Sequence, residues 1–322
     1  MAGHKYVGAI TLLVIGFLAL APGVSVSAGV TDWVTGIPRQ PIHVSEWPGG
    51  KKVAVCFVLD VEVWGYGQGP NFRSDMAGRK PDLVDESFRE YGIEWGVPRL
   101  GALFKEEGVP LSIVLNALFP GQRPEVWKRF RATAPEAPIV AHGMNNSTEQ
   151  LPLDAGIAAQ EAYIRKTLDL IEKDTGVRPR GWSSPSVYGN RETFPASAAA
   201  GITYTLDSMD SDVLARLMTK SGPLVRIPYG VVTVDMGQYL TRNKEPQDME
   251  RLWIDYVSEL EREAEADPSR EATVIAIGVH PFVMGTPSGA AAMRRVLENL
   301  KQRKLVWLTD TDAVMAVASG NH

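Results

Sequence analysis

Three unbroken apolar runs, each ending on a residue that can take a proton or hold a metal, constrain this chain more than any other feature. Val53-Ala54-Val55-Cys56-Phe57-Val58-Leu59 leads into Asp60-Val61-Glu62, Pro138-Ile139-Val140-Ala141 leads into His142, and the run from Ala272 to Val279 leads into His280-Pro281. A parallel strand covered on both faces reads as such a run. In parallel α/β folds the C-terminal strand ends gather at one face, where the active site lies. The chain has five histidines, and two of the three in its body stand at these ends, which points to an enzyme.

The rest of the chain alternates in the same way. Strands are expected at residues 53–60, 110–116, 180–184, 202–206, 273–279 and 305–308, with one ending at His142 and a strand pair at 224–228 and 231–234. Helices are expected at 94–107, 124–133, 153–175, 192–200, 249–266, 290–303 and 311–318; residues 65–92 read as loop. Helical spacing of Ile157, Tyr163, Ile164, Leu168 and Ile171 supports the third of these helices, and Gly176 offers its C-cap. Alternating strands and helices without a linker predict a single α/β domain, a distorted (β/α) barrel of seven or eight mostly parallel strands. At 322 residues the chain suits one such barrel better than two average domains.

The organisation expected is a signal peptide at 1–28, a Pro-, Gly- and Trp-containing wrapping segment at 29–50, and a catalytic domain at 51–322. Residues 7–21 carry no charge, follow His4-Lys5 and precede the small-residue site Val26-Ser27-Ala28, the layout of a secretory signal. The stretch is shorter than the roughly 20 residues of a membrane span. The expected location is therefore secreted or periplasmic, with no membrane contact after cleavage; an uncleaved anchor is the alternative. A single cysteine, Cys56, rules out an internal disulfide. The net charge of −5 argues against a nucleic-acid partner. The Gly65–Gly69 cluster lacks the dinucleotide spacing, so no organic cofactor is expected.

Asp60 and Glu62 lie two apart, which puts both on one face if the strand continues. Such a pair suits a general base beside a metal or substrate ligand. Asp207, with Asp210 and Asp212, follows another strand and can orient a catalytic histidine or form an Asx turn. His280 can protonate a leaving amine. Trp182-Ser183-Ser184-Pro185 lacks the nucleophile-elbow pattern of serine hydrolases.

Taken in order, these stretches resemble the motifs of the polysaccharide deacetylase superfamily, which includes carbohydrate esterase family 4 and the nodulation-type deacetylases. The matching stretches are Leu59-Asp60-Val61-Glu62, His142 to Asn146, Arg180 to Pro185, Leu206 to Asp210, and Val279-His280-Pro281. Arg178 to Trp182, Ile227-Pro228-Tyr229 with Asp235-Met236, and Gly285-Thr286-Pro287 are similar to the branch holding allantoinases and peptidoglycan deacetylases. The resemblance implies an exported hydrolase of non-peptide carbon–nitrogen bonds, acting on an N-acetylated glycan or a small amide or ureide. It implies Asp60 as base, His280 as acid, Asp207 in support, Glu62, Asn146, Trp182 and Ser184 around the substrate, and Asp60, His142 and Asn146 as metal ligands. Trp64, Tyr66, Trp182 and Tyr188 offer rings to a sugar. One departure stands out: the second histidine of the metal motif is Asn146 here, and a neutral amide oxygen is a weaker zinc ligand than imidazole. A divalent metal such as zinc is thus held weakly, or is absent and Asp60 or Glu62 acts alone. The alternative is a catalytically degenerate carbohydrate-binding protein on the same scaffold.

Overall fold

A computed structural model describes residues 30–72, 79–230 and 232–320. The signal-peptide expectation and position 231 lie outside these residues. Among the described residues the strands are β1 (Val30–Thr31), β2 (Pro38–Pro41), β3 (Val53–Val61), β4 (Ser112–Leu115), β5 (Ile139–Ala141), β6 (Gly181–Trp182), β7 (Tyr204–Thr205), β8 (Ala215–Thr219), β9 (Gly222–Arg226), β10 (Thr273–Val279) and β11 (Val306–Thr309). The helices are α1 (Leu83–Tyr91), α2 (Val97–Glu107), α3 (Phe119–Gln122), α4 (Pro124–Arg131), α5 (Gly156–Thr175), α6 (Thr193–Ala200), α7 (Asp235–Arg242), α8 (Pro246–Ala266), α9 (Pro287–Lys301) and α10 (Thr311–Ala318). None of them is long and apolar enough to cross a membrane.

Eight strands run parallel, in the order β9-β7-β6-β5-β4-β3-β10 with β11 also on β3. β4 and β11 share one edge of β3, pairing with its C-terminal and N-terminal halves respectively. Closure between β10 and β9 falls to irregular chain: Val274, Ala276 and Gly278 donate their amides to Asp212, Pro228 and Thr233. The result is the distorted, mostly parallel barrel expected.

Period-two alternation sorts the side chains into two cores. Val53, Val55, Phe57 and Leu59 of β3 face outward, against Leu100 and Phe104 of α2 and Leu297 of α9. Ala54, Cys56 and Val58 face the interior with Val114, Val140, Val274 and Ala276. Trp47 joins this interior core, gives its indole N–H to the Thr273 carbonyl (2.8 Å) and stacks near Trp307 (5.6 Å). It thereby fills the mouth at the N-terminal strand ends and leaves the C-terminal mouth for chemistry.

Three local expectations are corrected. The hairpin partner of β9 is β8, upstream and antiparallel to it, while residues 232–234 contribute one isolated bridge, Val234 to Gly278. The segment read as loop up to Gly92 contains α1, whose Asp82 side chain caps the Val84 amide. A π-helical turn, Gly92–Gly96, joins α1 to α2. α7 was not anticipated and proves important, because its first residue, Asp235, enters the site.

Candidate active site

The inner-face alternation of β3 carries past Val58 to Asp60 and Glu62. That of β5 passes Val140 to His142, and that of β10 passes Ala276 and Gly278 to His280. The four side chains therefore meet at one end of the barrel, each 2–3% exposed. They line a cavity of about 170 Å³ with Tyr229, Gly230, Val234, Met236, Gly237, Ser186 and Val187.

Each imidazole is held by its Nδ1. The His142 Nδ1 lies 2.9 Å from the Ser183 carbonyl, which can only accept, so that nitrogen carries the proton. The His280 Nδ1 lies 2.6 Å from Asp235 Oδ1, and the His280 amide donates to Asp235 Oδ2 at 2.7 Å. Both Nε2 atoms are thus turned toward Glu62, at 3.2 Å from Oε1 for His142 and 3.6 Å from Oε2 for His280.

The charges follow from burial and neighbours. Burial raises the Asp60 carboxyl to about 7, against the pull of His280. Burial also raises Glu62, but the His280 charge and the His142 hydrogen bond outweigh it and hold Glu62 low and ionised. Burial opposes charge on His280, yet Asp60, Asp235 and Glu62 overcome it and push the imidazole up to about 10. His142 is raised as well: burial opposes its charge and Glu62 prevails. The cavity therefore brings together a carboxyl that titrates near neutrality and an imidazole that keeps its proton.

Asn146 is not presented as a metal ligand. The Val63 amide donates to Asn116 Oδ1 (2.9 Å), which turns the Asn116 amide nitrogen toward the His142 carbonyl and Asn146 Oδ1 (3.0 Å). The Asn146 oxygen is thereby engaged, and its nitrogen donates to Glu62 Oε1. The donor atoms that converge belong instead to Asp60, Glu62 and His280, all within 4.8 Å of one another. Glu62 Oε2 is buried without a hydrogen-bond partner, so the paired carboxylates of Asp60 and Glu62 fit a divalent cation, with His280 able to join them only after giving up its Nε2 proton. His142 borders this group through Glu62.

Other expected site residues lie elsewhere. Asp207 accepts from the Ser184 amide (2.6 Å) and hydroxyl (2.7 Å) and orients neither histidine; burial raises its carboxyl against those hydrogen bonds. Asp210 pairs with Arg226 and Asp212 with the Tyr256 hydroxyl, so the acidic stretch serves three separate structural contacts. Ser184 also accepts the Trp182 indole N–H at 3.0 Å, making it a loop anchor behind the cavity. Trp182 is fully buried on the outer face of the barrel, packed near Tyr163 of α5, and cannot stack on a sugar. Tyr66 and Tyr188 are exposed and Trp64 partly buried against Phe282.

Asp235 is the residue that reasoning from strand ends missed. It is separated from His280 by 45 positions and opens a helix rather than closing a strand. An acid placed directly after the expected strand segment 231–234, in the Asp235-Met236 stretch that resembles the family's motifs, was the available signal. Tyr229 was also given no role. Its hydroxyl reaches Asp60 Oδ2 at 3.5 Å, and burial together with Asp60 keeps it protonated far above its usual range.

No family model matches the chain. A Schizosaccharomyces pombe protein named "putative polysaccharide deacetylase" is 22% identical over 319 aligned residues, covering 90% of this chain and 97% of that protein. Among solved structures, a "probable polysaccharide deacetylase" from Pseudomonas aeruginosa superposes with a TM-score of 0.73 at 24% identity, covering 88% of this chain and 96% of the other. The Puue allantoinase gives a TM-score of 0.73 at 26% identity, with the same coverage of 88% and 96%. In sequence and in fold the chain is similar to the polysaccharide deacetylase superfamily.

Proposed function

We propose that this chain, built on the fold shared by polysaccharide deacetylases and an allantoinase, is an exported hydrolase of non-peptide carbon–nitrogen bonds. Its substrate is an N-acetylated glycan or a small amide or ureide. The observation that carries this reading is the meeting of Asp60 and His280 in one buried cavity, where Asp60 ionises near 7 while His280 holds its proton up to about 10. Asp60 takes a proton from water, which attacks the acyl carbon. His280, steadied by Asp235, protonates the departing nitrogen. Glu62 balances the two imidazoles and accepts from His142 and Asn146, which hold its carboxylate in place. The carboxylates of Asp60 and Glu62 would hold a divalent cation, which when bound supplies Lewis acidity toward water and carbonyl oxygen, while His280 Nε2 keeps its proton for the leaving nitrogen.

The cavity volume of about 170 Å³ favours the small-amide end of this substrate range; pockets enclosing larger ligands span about 300–1,000 Å³. Export rests on the uncharged stretch at 7–21 and the Val26-Ser27-Ala28 site. N-terminal sequencing of protein recovered outside the cytoplasm should begin at Gly29.

The test is a panel of N-acetyl sugars, chitooligosaccharides, simple N-acyl amides and ureides, assayed for acetate, amine or ammonia release. The wild-type protein should turn over at least one class. Asp60→Asn and His280→Ala should each lose about 10²–10⁴-fold in rate. Glycan binding without release of any product would leave the degenerate binding protein as the better account.

A further inference from the structure

Tyr229 is a buried hydroxyl with a weak partner, and the fold makes room for it at a cost. Its side chain is 2% exposed and belongs to the interior core, three residues beyond the end of β9. The space its phenol occupies exists because position 278 is glycine: a Cβ there would stand 2.5 Å from Tyr229 Oη. Glycine in the middle of a parallel strand weakens that strand and marks a close approach. Position 278 is two residues before His280 on the same face of β10, so the hydroxyl is delivered directly beneath the proposed acid. Its partner among the described residues is Asp60 Oδ2 at 3.5 Å, the outer limit of a hydrogen bond.

We propose that the Tyr229 hydroxyl is a catalytic donor, meeting the scissile carbonyl oxygen as that oxygen gains negative charge. The assignment rests on the hydrolase reading above. Water adds to the acyl carbon and gives a proton to Asp60 while the C=O π pair moves onto oxygen. Tyr229 donates a hydrogen bond to that oxygen and keeps its proton. The pair then returns to re-form C=O, the C–N bond breaks, and the nitrogen takes the His280 proton, releasing carboxylic acid and amine. Carboxylates cannot donate to this oxygen, His142 Nε2 lies on Glu62 Oε1, and the His280 proton is the one delivered to the leaving nitrogen. Ser186, the other hydroxyl on the cavity wall, sits on an exposed loop. A preorganised donor in a closed cavity acts most strongly where charge develops.

Tyr229→Phe keeps the ring and removes the donor. With the panel amide that the wild-type protein hydrolyses fastest, kcat should fall about 10²–10³-fold with KM little changed. A phosphonate carrying the same acyl group, whose tetrahedral oxyanion mimics the intermediate, should lose affinity in step with the rate. Gly278→Ala, which displaces the phenol while leaving it present, should lower kcat in the same direction. A Tyr229→Phe protein with wild-type kcat, or with a rate loss that rising pH restores and unchanged phosphonate affinity, overturns the assignment; in the latter case the phenol merely holds Asp60. Wild-type turnover that Asp60→Asn abolishes and Tyr229→Phe leaves intact would sink this role and spare the hydrolase reading. Failure of the wild-type protein on the whole panel would remove both.

Discussion

Asp60 and Asp235 are both buried carboxylates beside His280, yet they are set up for different work. Asp235 engages the His280 amide and Nδ1 with its two oxygens and does not line the cavity. Asp60 faces the cavity and titrates at about 7 because burial dominates its surroundings. A base works when deprotonated, so with divalent ions chelated the hydrolysis rate should climb as pH rises through about 7. An acid works when protonated, so the rate should fall again as His280 loses its proton near 10. Adding Zn²⁺ should move the lower limb to more acidic pH, since a dication beside a carboxyl favours its ionised form. A pH–rate profile measured with and without Zn²⁺ checks both directions. Asp235→Asn removes a negative charge that raises His280, so the alkaline limb should move down, and kcat should fall about 10²-fold as the ring loses its anchor. NMR titration of His280 should show the matching drop in pKa.

At the scale of elements, the site depends on how closely the α1–α2 segment approaches the loop after β10. Gly96, in the π-helical turn, would put a Cβ 2.3 Å from the Pro281 carbonyl oxygen, and Gly92 one 2.8 Å from Phe282. These contacts seat the chain immediately following His280. Gly96→Ala must push the loop away, with an expected cost of about 1–3 kcal/mol and a drop in kcat. Gly121→Ala, whose added carbon meets its nearest atom at 3.7 Å, should leave kcat unchanged and should not lower stability. Chemical denaturation and kinetics of the two variants make the comparison. This dependence also explains what could be read from the amino acids alone. The strand ends at Asp60, His142 and His280 were legible because a strand buried on both faces is a plain apolar run, and alternation then assigns each polar terminus to the interior. Trp182 was misassigned because β6 is only two residues long, too short for alternation to show which face it takes. Asp235 and Tyr229, though they lie in stretches that resemble the family's motifs, carried no role in that reading, and the β8 partner of β9 was not anticipated, for a different reason. Their roles come from irregular chain that closes the barrel, and nothing in local periodicity announces where such chain goes.

For the whole molecule, barrel closure is also where the N-terminal strands attach. β2 pairs with β8, and the attachment is locked by charge: Arg226, at the end of β9, meets Asp32 at 3.0 Å and Asp210 at 2.6 Å, with the Arg226 and Asp32 side chains 1% and 0% exposed. Arg226 lies three residues before Tyr229, so this lock braces the segment that carries the phenol into the cavity. Burial alone would raise the Asp32 carboxyl, but the Thr35 amide and the Arg226 guanidinium outweigh it and hold it below its usual value. A carboxyl depressed on folding stabilises the native state above its unfolded pKa of about 3.8, and that contribution disappears as pH falls through the lower folded value. Asp32→Asn should therefore cost about 3 kcal/mol at neutral pH, the low end for breaking a buried pair, because Asp210 still faces the guanidinium. The gap between wild-type and variant stability should stay level from pH 8 to about 5 and close below about 4. Urea unfolding across that range measures it. A gap that persisted into acid would mean that the Asp32 charge contributes nothing and that the N-terminal strands are held by backbone pairing and packing alone, leaving the Tyr229 segment without an electrostatic brace.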